Sequence, residues 1–152
     1  MWVPPEDKDP VVLHAPTRKS IGYFGAVRLG DGRLKYQRSK VFNGETFKTF
    51  LQSLLRHRKR GKKILLILDN GRYHHARLVT PWLRLHKNQI ELLFLPPYSP
   101  DLNPIERLWK LTRRLCTHNQ YFEILDDIIS SVEKQFEIWE KPNATLKRLC
   151  AI

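Results

Sequence analysis

The stretch from Leu92 to Trp109 reads Leu-Leu-Phe-Leu-Pro-Pro-Tyr-Ser-Pro-Asp-Leu-Asn-Pro-Ile-Glu-Arg-Leu-Trp. Its apolar opening is short enough for a buried strand, and Pro96, Pro97 and Pro100 then break it. Asn103 followed by Pro104 reads as a helix start, with Asn as N-cap and Pro at the first helical position. Glu106 then falls in the first turn of that helix. Strand, proline-pinned corner and helix in this order deliver one carboxylate to one end of a strand. Taken alone, Glu106 is equally suited to cap a free backbone amide, as acids at the third helical position commonly do.

A second landmark bears on that choice. Ile64-Leu65-Leu66-Ile67-Leu68 is a continuous apolar run that ends in Asp69-Asn70-Gly71. Such a run is expected of a strand buried on both faces in a parallel sheet. Ligands of open α/β sheets gather beyond the carboxyl ends of the strands. Asp69 stands at such an end, and Glu106 begins the helix after the next strand, Ile90–Leu95. The two acids are expected to converge on one site.

The two motifs, Leu68-Asp69-Asn70-Gly71-x-x-His74 and Leu95-Pro-Pro-Tyr-Ser-Pro-Asp-Leu-Asn-Pro-Ile-Glu106-x-Leu108-Trp109, closely resemble the catalytic domain of mariner-like DDE transposases. The bacterial insertion-sequence branch is the nearest match, and the resemblance runs from about Trp2 to about Phe136. It implies an α/β, ribonuclease H-like fold, a mixed sheet flanked by helices. It also implies two-metal phosphodiester chemistry on Mg2+, with Mn2+ as a substitute. Asp69 resembles the second acid of the catalytic triad and Glu106 the third, with Asn70 and His74 as active-site neighbours. Without the resemblance His74 and His75 both read as surface residues, and His75 keeps that reading. The partners implied are DNA at transposon ends and target sites. Such a site would serve first for hydrolytic cleavage and then for strand transfer. Carboxylates suit it, because magnesium prefers all-oxygen octahedral surroundings.

The chain departs from the family at its start. The family's first acid lies on a first, central strand upstream of a hairpin, whereas Met1-Trp2-Val3-Pro4 resembles the sequence just after that strand. Glu6, Asp7 and Asp9 are the early acids, and they lie in a proline-broken loop without an apolar run. The helix-turn-helix DNA-reading modules that usually precede this domain in the family are not read within residues 1–152. The expectation is a single domain over residues 1–152, incomplete at its N-terminus and nearly inactive alone. Its first acid would come from an upstream transposase segment, or the chain would act as a dimer. Two other readings stand beside this one: a catalytically dead relic that binds DNA non-specifically, and a ribonuclease H-like nuclease on hybrids or junctions. Without the central strand, two sheet edges would lack partners. That predicts low stability, a strand borrowed from a neighbour, or the N-terminal residues filling the gap.

The remaining elements follow from periodicity. Ile21–Leu29 and Leu34–Phe42 form a hairpin about Gly30-Asp31-Gly32, with an edge position for the second strand. Phe47, Phe50, Leu51, Leu54 and Leu55 make the apolar stripe of a helix capped at Asn43 or Thr46. That helix runs into Arg56-His-Arg58-Lys59-Arg60-Gly-Lys62-Lys63. The block can be a solvated helix end or a phosphate-contacting surface. Leu78, Val79, Trp82, Leu83 and His86 mark a second helix, in which Pro81 either kinks the chain or follows a Thr80 cap. Lys110 and Arg113 share a face with Glu106 on the helix 103–114 and could border a substrate phosphate. Ile124–Trp139 is the last helix, covering the sheet, and Pro142 ends it before a short tail or final turn.

A formal charge of +12 and a pI near 10.0 favour a polyanionic partner. A hydrophobic fraction of 41% excludes disorder. Cys116 and Cys150 lack metal-type spacing and read as free thiols in a reducing compartment. No apolar run is long enough to span a membrane, so a cytoplasmic protein at the bacterial nucleoid is expected.

Overall fold

The computed structural model describes residues 13–14, 20–69, 77–97, 102–117 and 124–152. In chain order these form β1 (Leu13–His14), β2 (Ser20–Val27), β3 (Leu34–Ser39), α1 (Gly44–Arg56), β4 (Ile64–Leu68), α2 (Val79–Leu85), β5 (Ile90–Phe94) and α3 (Ile105–Thr112). A π-helical turn (Arg113–Thr117), α4 (Leu125–Trp139) and α5 (Ala144–Leu149) complete them. The mixed α/β arrangement is that expected of a ribonuclease H-like domain.

The strands fall into two sheets. β1, β2 and β3 are antiparallel in that order, and β4 and β5 form a parallel pair. Among the described residues no ladder joins the two. β1 sits on the edge of β2 opposite β3, pairing Leu13 with Ile21 and His14 with Ser20. Among the described residues, those before the hairpin therefore extend this edge at its first two positions.

β2 is the strand that both layers share. Its alternation sends Ile21 and Tyr23 into a core with Ile105, Leu108 and Trp109 of α3, Val132 and Phe136 of α4, and Leu146 of α5. Phe24 points the other way, into a core with α1, α2, β4 and β5. Tyr23 meets Phe136 edge-on at 5.2 Å, while Phe24 stacks on Phe50 at 5.4 Å. Two glycines allow this double contact. A Cβ on Gly25 would overlap the Trp109 ring, and one on Gly22 would overlap Phe42. α3 can lie this close to the sheet only because residue 25 has no side chain.

α1 carries the expected stripe, with Phe47, Phe50, Leu51 and Leu54 buried. Asn43 and Thr46 cap it reciprocally: Thr46 N–H donates to Asn43 Oδ1 at 2.9 Å and Asn43 N–H to Thr46 Oγ1 at 3.0 Å. α4 lies across β2 and β3, fixed by Glu133, whose Oε2 accepts from Tyr23 at 3.0 Å and from Arg38 at 3.1 Å.

Four sequence expectations need correction. β4 is not buried on both faces: Leu66 and Leu68 are covered by α1 and α2, but Leu65 is 59% exposed. α2 begins at Val79 without a side-chain cap, so Thr80 is not the cap. Pro81 lies within the first turn, where no intrahelical acceptor is lost and no kink arises. α3 is shorter than 103–114, because the chain widens into the π-helical turn at Arg113. Ile124–Trp139 is not the last helix: beyond Pro142 the final turn forms, as the short helix α5. Asn143 caps α5 through Leu146 N–H (2.8 Å), and its Nδ2 donates to the carbonyls of Gly32 (2.9 Å), Trp139 (3.1 Å) and Lys141 (2.9 Å). That single amide ties the hairpin turn to the junction of α4 and α5.

Candidate active site

Asp69 takes its place from the parallel ladder. β4 and β5 pair in register from Ile64 with Ile90 to Leu68 with Phe94, and Leu95 N–H donates to Leu68 O at 2.8 Å. The ladder is thus intact to its carboxyl end, where Asp69 follows as a half-buried carboxylate.

Glu106 takes its place from the turn into α3. Asn103 is almost fully buried at 1% exposure, and its Oδ1 faces Ile105 N–H at 3.4 Å. Its carbonyl accepts from Glu106 N–H at 3.1 Å, and that of Pro104 accepts from Arg107 N–H at 3.1 Å. Asn103 and Pro104 build the entry turn, but Pro104 takes the cap position expected of Asn103, and the regular helix begins at Ile105. Ile105, Leu108 and Trp109 anchor α3 in the core, leaving Glu106 half-buried. The turn has a further tether that local sequence does not signal. Arg107 Nη1 donates to Leu149 O (3.1 Å) and Ala151 O (3.0 Å), and Cys150 Sγ lies 3.6 Å from Pro104 O.

Segments next to the two acids line one small cavity of about 60 Å³, formed by Val27, Leu29, Leu65–Ile67 and Asn103–Ile105. The entry turn of α3 and the middle of β4 therefore border the same space. Glu106 directly follows one lining segment, and Asp69 stands two residues beyond the other.

The other expected residues are distributed more widely. Asn70 and His74 lie outside the described residues, as do Glu6, Asp7 and Asp9. Lys110 is exposed on α3, and Arg113 is exposed in the π-helical turn. The basic block divides. Arg58 Nη1 donates to Lys62 O at 2.7 Å and closes its own loop, while Lys63 Nζ pairs with Glu91 at 3.1 Å. Arg56, Lys59, Arg60 and Lys62 are exposed, with no acidic partner among the described residues. Both cysteines are free and buried, and burial raises each thiol above its ordinary range. Neither is suited to bind metal as a thiolate. Among the described residues no group of three or more His, Cys, Asp or Glu is arranged to hold a metal, and no helix is long and apolar enough to cross a membrane.

Comparison with known proteins agrees with this architecture. Residues 1–129 match the DDE superfamily endonuclease family. The chain is 27% identical over 113 residues to an uncharacterised 39 kDa protein of insertion element IS630 from Shigella sonnei, covering 74% of this chain and 33% of that protein. It is 32% identical over 78 residues to the Tcb2 transposase of Caenorhabditis briggsae, covering 47% of this chain and 28% of that one. Among solved structures, the catalytic domain of the Mos1 mariner transposase superposes with a TM-score of 0.72 at 19% identity, over 91% of this chain and 71% of that one. Further Mos1 structures include a strand transfer complex and catalytic domains with Raltegravir and Mg or Mn. The chain spans between 28% and 48% of the length of the curated relatives it matches. By the family match over residues 1–129, the chain belongs to the DDE superfamily endonucleases.

Proposed function

We propose that this chain is the catalytic part of a DNA transposase, which cleaves phosphodiester bonds at the ends of an insertion sequence and transfers them to target DNA. The observation that carries this reading is the one cavity that the entry turn of α3 and the middle of β4 share, with Glu106 immediately after one lining segment and Asp69 two residues after the other. Membership of the family supports it, and so does the Mos1 strand transfer complex among structures of the same fold.

Asp69 and Glu106 would hold the divalent metal. Both are half-buried carboxylates at the ends of rigid elements, and hard oxygen donors fit Mg2+ or Mn2+ better than a softer ion. Mos1 catalytic domains solved with Mg or Mn support the same choice. When bound, such ions activate an attacking water or 3′-hydroxyl and stabilise the leaving oxygen. The chain's own residues fix where this happens. Asp69 is held by the end of the ladder, and Glu106 by the Asn103–Pro104 turn and the buried side of α3. Asn70 and His74 are proposed as neighbours of the site, with Lys110 and Arg113 beside the scissile DNA. A third carboxylate is supplied by a companion transposase segment or by a second copy of the chain. The protein is proposed to act in the cytoplasm, at the nucleoid.

Manganese binding by the full chain, followed by calorimetry, tests the metal assignment without relying on activity. Asp69→Asn and Glu106→Gln are each expected to weaken binding at least about tenfold, a loss of about 1.4 kcal/mol. Binding that is unchanged in both variants sinks the assignment. In parallel, nicking of supercoiled DNA by the chain mixed with an upstream polypeptide should be lost in either variant. A second reading, a DNA-binding module without chemistry, draws on the charge of +12. It is favoured if DNA binding persists while no mixture ever nicks.

A further inference from the structure

The direction of the parallel pair separates acids from cations. Asp69 follows the carboxyl end of β4, whereas Lys62 and Lys63 precede its amino end and Lys87 to Gln89 precede β5. The two approaches join at that amino edge, where Ile64 N–H donates to Gln89 O at 2.8 Å and Lys63 pairs with Glu91. At about 3.3 Å per residue, the six steps from Lys63 to Asp69 span about 20 Å. One DNA strand advances 3.4 Å per nucleotide, so that gap corresponds to about six nucleotides. No single phosphate can touch both.

Six exposed cations lie at this edge: Arg56, Lys59, Arg60, Lys62, Arg84 and Lys87. None has an acidic partner among the described residues. Two helix ends also point here, because α1 and α2 both finish at this edge. His57 Nδ1 faces Ser53 O at 2.9 Å, and His86 Nδ1 faces Trp82 O at 2.8 Å. Each helix end is equivalent to about half a negative charge. Together they offset about one of the six cations, so helix capping does not account for the cluster. Its loop is also held in shape, by Arg58 bonded to Lys62 O, Lys62 N–H to Lys59 O at 3.0 Å, and Gly61 at a φ of +76°.

We propose that the amino edge of the β4–β5 pair is a second phosphate-binding surface that seats duplex DNA about 20 Å from the carboxylates. Resting on the transposase reading, this assigns the basic block to DNA flanking the reacting bond. The surface contacts backbone phosphates and reads no base sequence, since lysine and arginine ammonium and guanidinium groups on loops supply charge without a groove-fitting element.

The test is binding of the full chain to a fluorescent duplex of about 25 base pairs, followed by anisotropy over a salt series, without divalent metal. For the triple variant Lys59→Ala/Arg60→Ala/Lys62→Ala, the slope of log affinity against log salt should fall by about 2 to 3, at about 0.9 per phosphate contact. The double variant Arg84→Ala/Lys87→Ala, from a separate segment, should lower it by about 1 to 2. All five positions are exposed, and thermal melting should show both variants folded. Slopes unchanged in both variants overturn the proposal, as does tighter binding to single-stranded RNA than to the duplex. Lys134→Ala, an exposed position on α4, measured alongside should keep the full slope. If metal binding fails while these slopes fall as expected, the catalytic reading is wrong and the docking surface stands.

Discussion

The hairpin half and the parallel half of this protein are covered differently. β2 has core on both faces, with α3, α4 and α5 on one side and α1 and α2 on the other. β4 has core on one face, while Leu65 on its other face is 59% exposed and Leu93 of its neighbour is 42% exposed. The two candidate acids are divided between these halves: Glu106 stands on α3, which packs on β2, and Asp69 follows β4, which has the thinner cover. Functional groups must reach solvent and ligand, so their supporting strand cannot be as fully enclosed as the strand that anchors the fold.

The largest effect should come from removing a shared core side chain. Phe24→Ala empties a site at 0% exposure between β2, α1 and the parallel pair. It should cost about 3–5 kcal/mol in denaturant unfolding. A cost below about 1 kcal/mol would show that the two layers do not depend on β2. Next in size is Gly25→Val, whose side chain overlaps Trp109. Overpacking of this kind costs about 1–3 kcal/mol, and because Trp109 and Glu106 share α3, manganese affinity should fall with stability. Stability lost with metal affinity intact would mean that α3 is not what positions Glu106.

Alkaline titration probes the hairpin half alone. Burial, reinforced by Glu133, holds the Tyr23 phenol far above its ordinary range. Burial, with Glu133, Glu140 and Glu137, pushes Tyr36 up to about 12. In the unfolded chain both ionise near about 10. Their contribution to stability is therefore complete below about pH 10 and is lost as pH rises toward 12, because there the unfolded state has released protons that the folded state retains. Tyr23→Phe should flatten part of that decline, and an unaltered profile would place the alkaline sensitivity elsewhere. The smallest effect belongs to the open face: Leu65→Ser should change stability by no more than about 0.5 kcal/mol. A loss near that of Phe24→Ala would show the face to be covered in solution.

Much of this was readable from local pattern. The runs at Ile64–Leu68 and Ile90–Phe94, the α1 stripe and the Asn103–Pro104 turn all formed where neighbouring residues dictate them, because capping and periodicity act within a few positions. What escaped depends on distant partners. Nothing near Leu65 announces that its face stays open, and nothing near Gly25 announces Trp109, 84 positions later. The hold of Arg107 on Leu149 and Ala151 likewise joins segments 42 and 44 residues apart. The basic block was legible as a block. Its separation from the acids became visible only with the direction of the strand between them.

The Asn143 side chain has a consequence for how the protein ages. Its Nδ2 serves the carbonyls of Gly32, Trp139 and Lys141. Slow hydrolysis of that amide to a carboxylate would leave an oxygen where the donor stood, facing three carbonyl oxygens that repel it. A change of one mass unit would then weaken the hold of the last two helices on the hairpin turn, leaving the backbone bond from Asn143 N–H to Asp31 O. Old preparations should accumulate molecules loosened at this seam before any peptide bond is cut.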